Sequence, residues 1–229
     1  MTRSIVDDFL AALILLLVVV VTGCAGNRDG AESTGADETS VATVSTPAPG
    51  EPDLAAVRVA TERFKDVNVA LAEGYIRDPG DICDSAELMG RPASDGAMGI
   101  HYIRMDLLGI AGPPEGRVSG TGTHTDFLTP GVLIYEPQAD GSLELVAIGN
   151  LAFEDAWQAA GNTAPPSFHG VAYDHMVDDP ATTLDEAHMF APHYDRHVWL
   201  YRENPGGMFA QFNPNVSCEY HTGAEHTHM

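Results

Sequence analysis

The chain is poor in positive charge. Of its 229 residues, 11 are Lys or Arg against 33 Asp or Glu, a formal net charge of −22. Phosphate binding needs clustered cations, so this balance argues against DNA or RNA as a partner. It argues equally against a polybasic grip on anionic lipid. Cysteine is scarce as well: three residues, none in a C-x-x-C pair, so the common thiolate metal motif is missing. No G-x-S-x-G, H-E-x-x-H, P-loop or G-x-G-x-x-G is present, and no internal repeat. The longest apolar run, Phe9 to Val21, has 13 residues, short of the about 20 that a membrane span needs. What is present is apolar content of 44% with 19% charged residues, enough for a folded core.

The apolar run fits the h-region of a signal peptide, with Arg3 before it. It ends in Val21-Thr22-Gly23-Cys24, which resembles the lipobox of bacterial lipoproteins. The resemblance implies cleavage before Cys24, diacylglycerol on its sulfur with palmitate-type acylation, and a location in the cell envelope, anchored to a membrane on its extracytoplasmic side. Residues 1–23 are then the signal peptide. Residues 24–52, small, acidic and Pro-containing with no aromatic residue, read as a disordered tether. Residues 53–220 form one domain, and 221–229 a His-rich tail.

With Cys24 assigned to lipid, Cys83 and Cys218 remain as an even pair in an exported domain, where a disulfide is favoured. Such a bridge ties the end of the domain to its beginning.

Within the domain, Leu54, Val57, Ala60, Phe64, Val67 and Leu71 recur at spacings of three and four, one stripe of an amphipathic helix, with Asp53 as N-cap and Gly74 as stop. Strands are expected at 98–103 (MGIHYI), 131–136 (GVLIYE), 143–153 (LELVAIGNLAF) and 196–202 (RHVWLYR). Asp140-Gly141 turns the second into the third. Residues 111–130 read as a long loop, 154–161 as one or two helical turns, and 165–192 as irregular chain with a short helix around Leu184–Met189. The fold class is α+β: an N-terminal amphipathic helix packed on a small, mostly antiparallel sheet with long loops.

The pieces Gly99–Tyr102 (GIHY), Leu133–Pro137 (LIYEP), Leu143–Ile148 (LELVAI) and His197–Cys218 (HVWLYRENPGGMFAQFNPNVSC) occur in that order. In this the chain resembles an uncharacterised family of bacterial exported proteins of unknown function. The resemblance implies a shared fold and brings no activity, cofactor or catalytic residue. The chain departs from it at Gly149-Asn150, where Glu-Tyr is the family's pattern.

Ten histidines stand out, five of them between His169 and His197: His169, His175, His188, His193 and His197. Acidic residues crowd the same stretch. Imidazole suits zinc, copper, nickel and iron. His193 and His197, four apart in extended chain, lie roughly 13 Å from each other, too far to share one ion unaided. The expected metal set is therefore His101, His193, His197 and His169, drawn from separate segments, with copper or zinc as the ion and His124 as a further loop candidate. His226 and His228 in the tail form an H-x-H pair. Each of these histidines is equally at home as a hydrogen-bonded core residue. Three readings follow: an envelope lipoprotein that binds a transition metal, a non-catalytic structural or interaction module, and a His/Asp hydrolase such as His193 with Asp195 or His124 with Asp126 would serve. No catalytic residue is assigned.

Overall fold

The computed structural model describes residues 47–111 and 116–223. The signal segment, Cys24, the tether up to residue 46, and His226 and His228 lie outside the described residues. Among the described residues, no helix is long and apolar enough to cross a membrane.

The stripe expected as one helix is two: α1 (Leu54–Thr61) and α2 (Val67–Ala72), joined by a 3-10 turn at Glu62–Lys65. Asp66 causes the break. Its extended backbone and its carboxylate, which accepts from the Asn68 N–H, start a second helix, as Asp53 starts the first by accepting from the Ala56 N–H. Val57, Phe64 and Ala70 are nonetheless buried in one cluster, while Leu71 is exposed. Residues 51–52, expected in the tether, belong to the folded part. Glu51 accepts from the His169 N–H, and Pro52 offers its carbonyl to the His169 ring, so residues 51–52 are docked on the domain.

The strands are β1 (Ile76–Arg77), β2 (Cys83–Ser85), β3 (Ala97–Ile103), β4 (Val132–Pro137), β5 (Leu143–Phe153), β6 (Ser167–Phe168), β7 (Val171–Ala172), β8 (Asp174–Met176) and β9 (His193–Val198). Two more short helices, α3 (Met105–Leu108) and α4 (Glu154–Ala159), follow β3 and β5. The main sheet runs β1-β3-β4-β5-β9-β8, with β2 also pairing β3, and every pair is antiparallel. The β4–β5 hairpin has the expected turn, with Pro137 opposite Leu143. The strand expected at 196–202 begins at His193 and ends at Val198. Pairing to both β5 and β8 draws His193 into the sheet. After Val198 the chain leaves, and the Trp199 N–H donates to Met208 instead. The short helix expected around Leu184–Met189 is a series of turns. His188 and Met189 take φ of 37° and 71°, which a right-handed helix cannot contain.

Alternation along the strands makes two faces. Ile100, Tyr102, Leu133, Tyr135, Ile148 and Val198 share one face with Val57 and Phe64 from the helical segment. Ile103, Val132, Ile134, Leu151 and Phe153 share the other with Val118 and Phe190 from the loops.

The chain beyond β9 returns to the far side of the sheet. Asn213 bridges Ala97 at the start of β3 through two backbone hydrogen bonds. Gly96 permits this approach. It sits at φ 83°, and a Cβ there would lie 2.0 Å from the Asn213 carbonyl oxygen. Five residues later Cys218 is disulfide-bonded to Cys83 on β2. Backbone and sulfur together pull the β9 side of the sheet round to β3.

Candidate metal centre

Four imidazoles and one carboxylate converge on the loop-covered face. His101 comes from β3. His193, Asp195 and His197 are alternate residues of β9 and therefore project to one side. His188 comes down from the loop between β8 and β9. The rings form a chain: His193 to His188, 5.2 Å between centroids; His188 to His101, 6.0 Å; His101 to His197, 5.6 Å. Asp195 lies among them, its Oδ2 3.6 Å from His197 Nε2. One ligand atom from each of His188, His193 and Asp195 falls within 4.8 Å of the other two. All five residues are buried.

Strand order alone does not bring His101 and His197 together. Two strands separate β3 from β9, roughly 14 Å of backbone. The curl of the sheet closes part of that distance. Gly149 on β5, opposite His197 in the register, clears the rest: a Cβ there would stand 3.3 Å from His197 Cδ2. Gly149, conspicuous in the sequence only as a departure from a resembled pattern, thus makes room for the ring.

Hydrogen bonding fixes the tautomers. His193 Nδ1 is 2.9 Å from the Ala191 carbonyl oxygen and His197 Nδ1 is 3.0 Å from that of Gln211. A carbonyl only accepts, so both Nδ1 atoms carry hydrogen and both Nε2 atoms present a lone pair when the ring is neutral. His101 Nδ1 faces Asp84 Oδ2 at 2.9 Å. These are the outer partners that metal-ligating histidines use. The inward nitrogens lack such partners. Nε2 of His101, His188 and His193 are all buried with no hydrogen bond among the described residues. An unsatisfied buried polar atom costs about 1–3 kcal/mol, and three meet here. Beside them is a pocket of about 10 Å³ lined by His101, His188, Asp195 and His197, with Ile103, Val132 and Phe190 around it. That is room for one water-sized particle.

Burial sets the charges. It lowers His188, lowers His193 well below its ordinary value with help from His188 beside it, and takes His197 down to about 3 with help from His101. Those three rings are neutral near pH 7, the ligating form. Burial also pulls His101 down, but the hydrogen bond and charge of Asp84 outweigh it and leave His101 raised. Asp195 is pushed up to about 7, by burial and then by Asp174 on the neighbouring strand.

Of the histidines expected to meet, His101 and His197 have ring centroids 5.6 Å apart, and His193 is linked to them through His188. His169 is not among them. Its ring packs on Phe168 and Phe209, with Nε2 2.9 Å from the Pro52 carbonyl oxygen. His124 is also elsewhere, its Nε2 2.6 Å from the Thr129 carbonyl oxygen. The positions missing from the expected set are His188 and Asp195. Period-two alternation from His193 to His197 would have found Asp195; nothing local marks His188.

Comparison with protein-family models, with curated proteins and with solved structures finds no match.

Proposed function

We propose that this chain is an exported lipoprotein, anchored by Cys24, whose folded domain holds one transition-metal ion between β3, β9 and the loop that carries His188. The observation behind this reading is the trio of buried, unpartnered Nε2 atoms beside a buried carboxylate. His188, His193 and Asp195 are within reach of one ion, and His101 and His197, next along the chain of rings, are the further candidate ligands. The residues come from three separate segments, so the ion would stabilise the tertiary arrangement rather than one element.

The test is elemental analysis of the purified full-length chain, with His226→Ala and His228→Ala to remove the tail pair. The expected result is one zinc or copper per chain, a rise in melting temperature on adding the ion, and loss of both in the His193→Ala variant. No metal at stoichiometry and no thermal shift would refute the proposal.

A single trapped water is the competing occupant and fits a structural or interaction module without a metal. It predicts no thermal response to either ion. The hydrolase reading draws on the His101–Asp84 pair, which is within hydrogen-bond reach. The pocket beside that pair has room for little more than a water, which weighs against a substrate.

A further inference from the structure

Resting on that reading, we infer that the centre is built for a divalent ion, Zn²⁺ or Cu²⁺, against Cu⁺, and that Asp84 is the residue that sets this preference through His101. Two independent features carry it, donor chemistry and charge balance.

The donors are nitrogen and oxygen only. Soft Cu⁺ favours thiolate and thioether, whereas imidazole with carboxylate suits divalent ions. Cys83 and Cys218 are bonded to each other, Met176 Sδ faces the Gln211 side-chain amide at 3.1 Å, and Met189, next to His188, is an exposed side chain. Met176 also packs in a separate cluster with Met89, Met98 and Phe212. Among the described residues, none of the ring contacts that build the cluster involves a sulfur-bearing side chain.

Charge gives the second argument. Imidazoles bind metal as neutral ligands, so a buried divalent ion needs two negative charges to leave no net charge in the core. Asp195 supplies one in direct reach. Asp84 supplies the other, buried and 2.9 Å from His101 Nδ1. Arg196, the neighbouring cation on β9, is paired with Asp174 at 3.2 Å. A monovalent ion in the same place would leave one charge of this carboxylate pair uncompensated. Asp84 is thus a positioning and charge-balancing residue, not a ligand: it orients His101 and fixes the charge of ion the site accepts.

The experiment is chelator competition on the full-length chain carrying His226→Ala and His228→Ala, with Zn²⁺, Cu²⁺ and Cu⁺ (held reduced) as separate probes. The parent chain is expected to bind one Zn²⁺ or Cu²⁺ and to hold both more tightly than Cu⁺. Asp84→Asn keeps the shape but removes the charge. Its affinity for Zn²⁺ is expected to fall about 10–100-fold, while that for Cu⁺ does not fall; Asp84→Glu is expected to restore most of the loss. Preferred binding of Cu⁺ by the parent chain overturns the inference, as does an equal fall for both ions in Asp84→Asn. If that variant does not fold, the parent preference and Asp84→Glu decide. Binding of none of the three ions overturns instead the metal reading beneath it.

Discussion

One sheet carries two faces, and they differ in how buried polarity is distributed. On the helix-covered face Tyr75 donates to the Pro130 carbonyl and Tyr135 to the Phe64 carbonyl, each at 2.6 Å; the Tyr173 hydroxyl of the same cluster is a single buried group with no hydrogen bond among the described residues. On the loop-covered face three imidazole nitrogens have none. The fold evidently can satisfy polar atoms in its interior. A cluster of unsatisfied atoms, with the outer nitrogens anchored and the inner ones bare, calls for an explanation, and the proposed ion supplies one.

Four changes would sharpen or break this contrast. The largest effect belongs to the bridge that curls both faces. Replacing Cys83 and Cys218 by Ser removes a cross-link spanning 135 residues, expected to cost roughly 5 kcal/mol in unfolding free energy and to abolish ion binding, because His101 and His197 lose their alignment. Denaturant melts and elemental analysis read both. Intact binding in the double variant would show that the Ala97–Asn213 bridge suffices.

Next, Phe64→Ala on the helix-covered face should cost about 3–5 kcal/mol while the ion content per folded chain stays unchanged. A parallel loss of metal would mean that the faces are not independent.

Acid is the third probe, applied to the ion-free chain. His188, His193 and His197 are lowered in the folded state. The stability they contribute is therefore present above their unfolded value of 6.5 and lost as pH falls toward the folded values. Asp195 acts oppositely. Its carboxyl is raised to about 7, so its contribution is present below 3.8 and lost as pH rises through about 7. His101, raised, contributes fully below 6.5 and changes nothing further there. Asp78, also raised by burial, acts in the same sense as Asp195; three imidazoles outweigh two carboxyls, so stability should fall on acidification below pH 6.5. Each net proton is worth about 1.4 kcal/mol per pH unit. Urea midpoints at pH 7, 6 and 5 test this; a midpoint that rises with acid would show that the rings are not buried and neutral.

The smallest effect is the most diagnostic. Tyr135→Phe strips a satisfied hydrogen bond and should cost about 1 kcal/mol. His188→Leu removes an unsatisfied nitrogen, so the ion-free chain should lose nothing or gain up to about 1 kcal/mol, yet its thermal response to zinc or copper should disappear. If His188→Leu destabilises the ion-free chain by more than Tyr135→Phe does, the two faces are alike and the metal reading loses its basis.

The elements that were readable from local pattern are the ones that local physics specifies. Alternation and an Asp-Gly turn locate β4 and β5, and the capped apolar stripe locates the helical segment. Asp66 splits that stripe because a second N-cap competes with continuation, a contest that spacing alone does not resolve. Leu184–Met189 has helical composition, but the turns there carry His188 and Phe190 into the core and override propensity. The disulfide was legible from the cysteine count together with the expectation of export. For the centre, residue types and the need for distant partners were legible; the membership of His188 and the exclusion of His169 were not. Both are loop residues whose positions depend on what they pack against.

Sequence by itself determined which chemistry is available: a domain short of cations and of free thiols, rich in imidazole and carboxylate, with strands whose alternation puts His193, Asp195 and His197 on one side. Tertiary structure decided which of those groups meet. Whether His101 reaches His197 depends on sheet curl, on Gly149 leaving space and on the Asn213 and Cys218 attachments. Each is a contact between residues far apart in the chain, and no local spacing encodes such a distance.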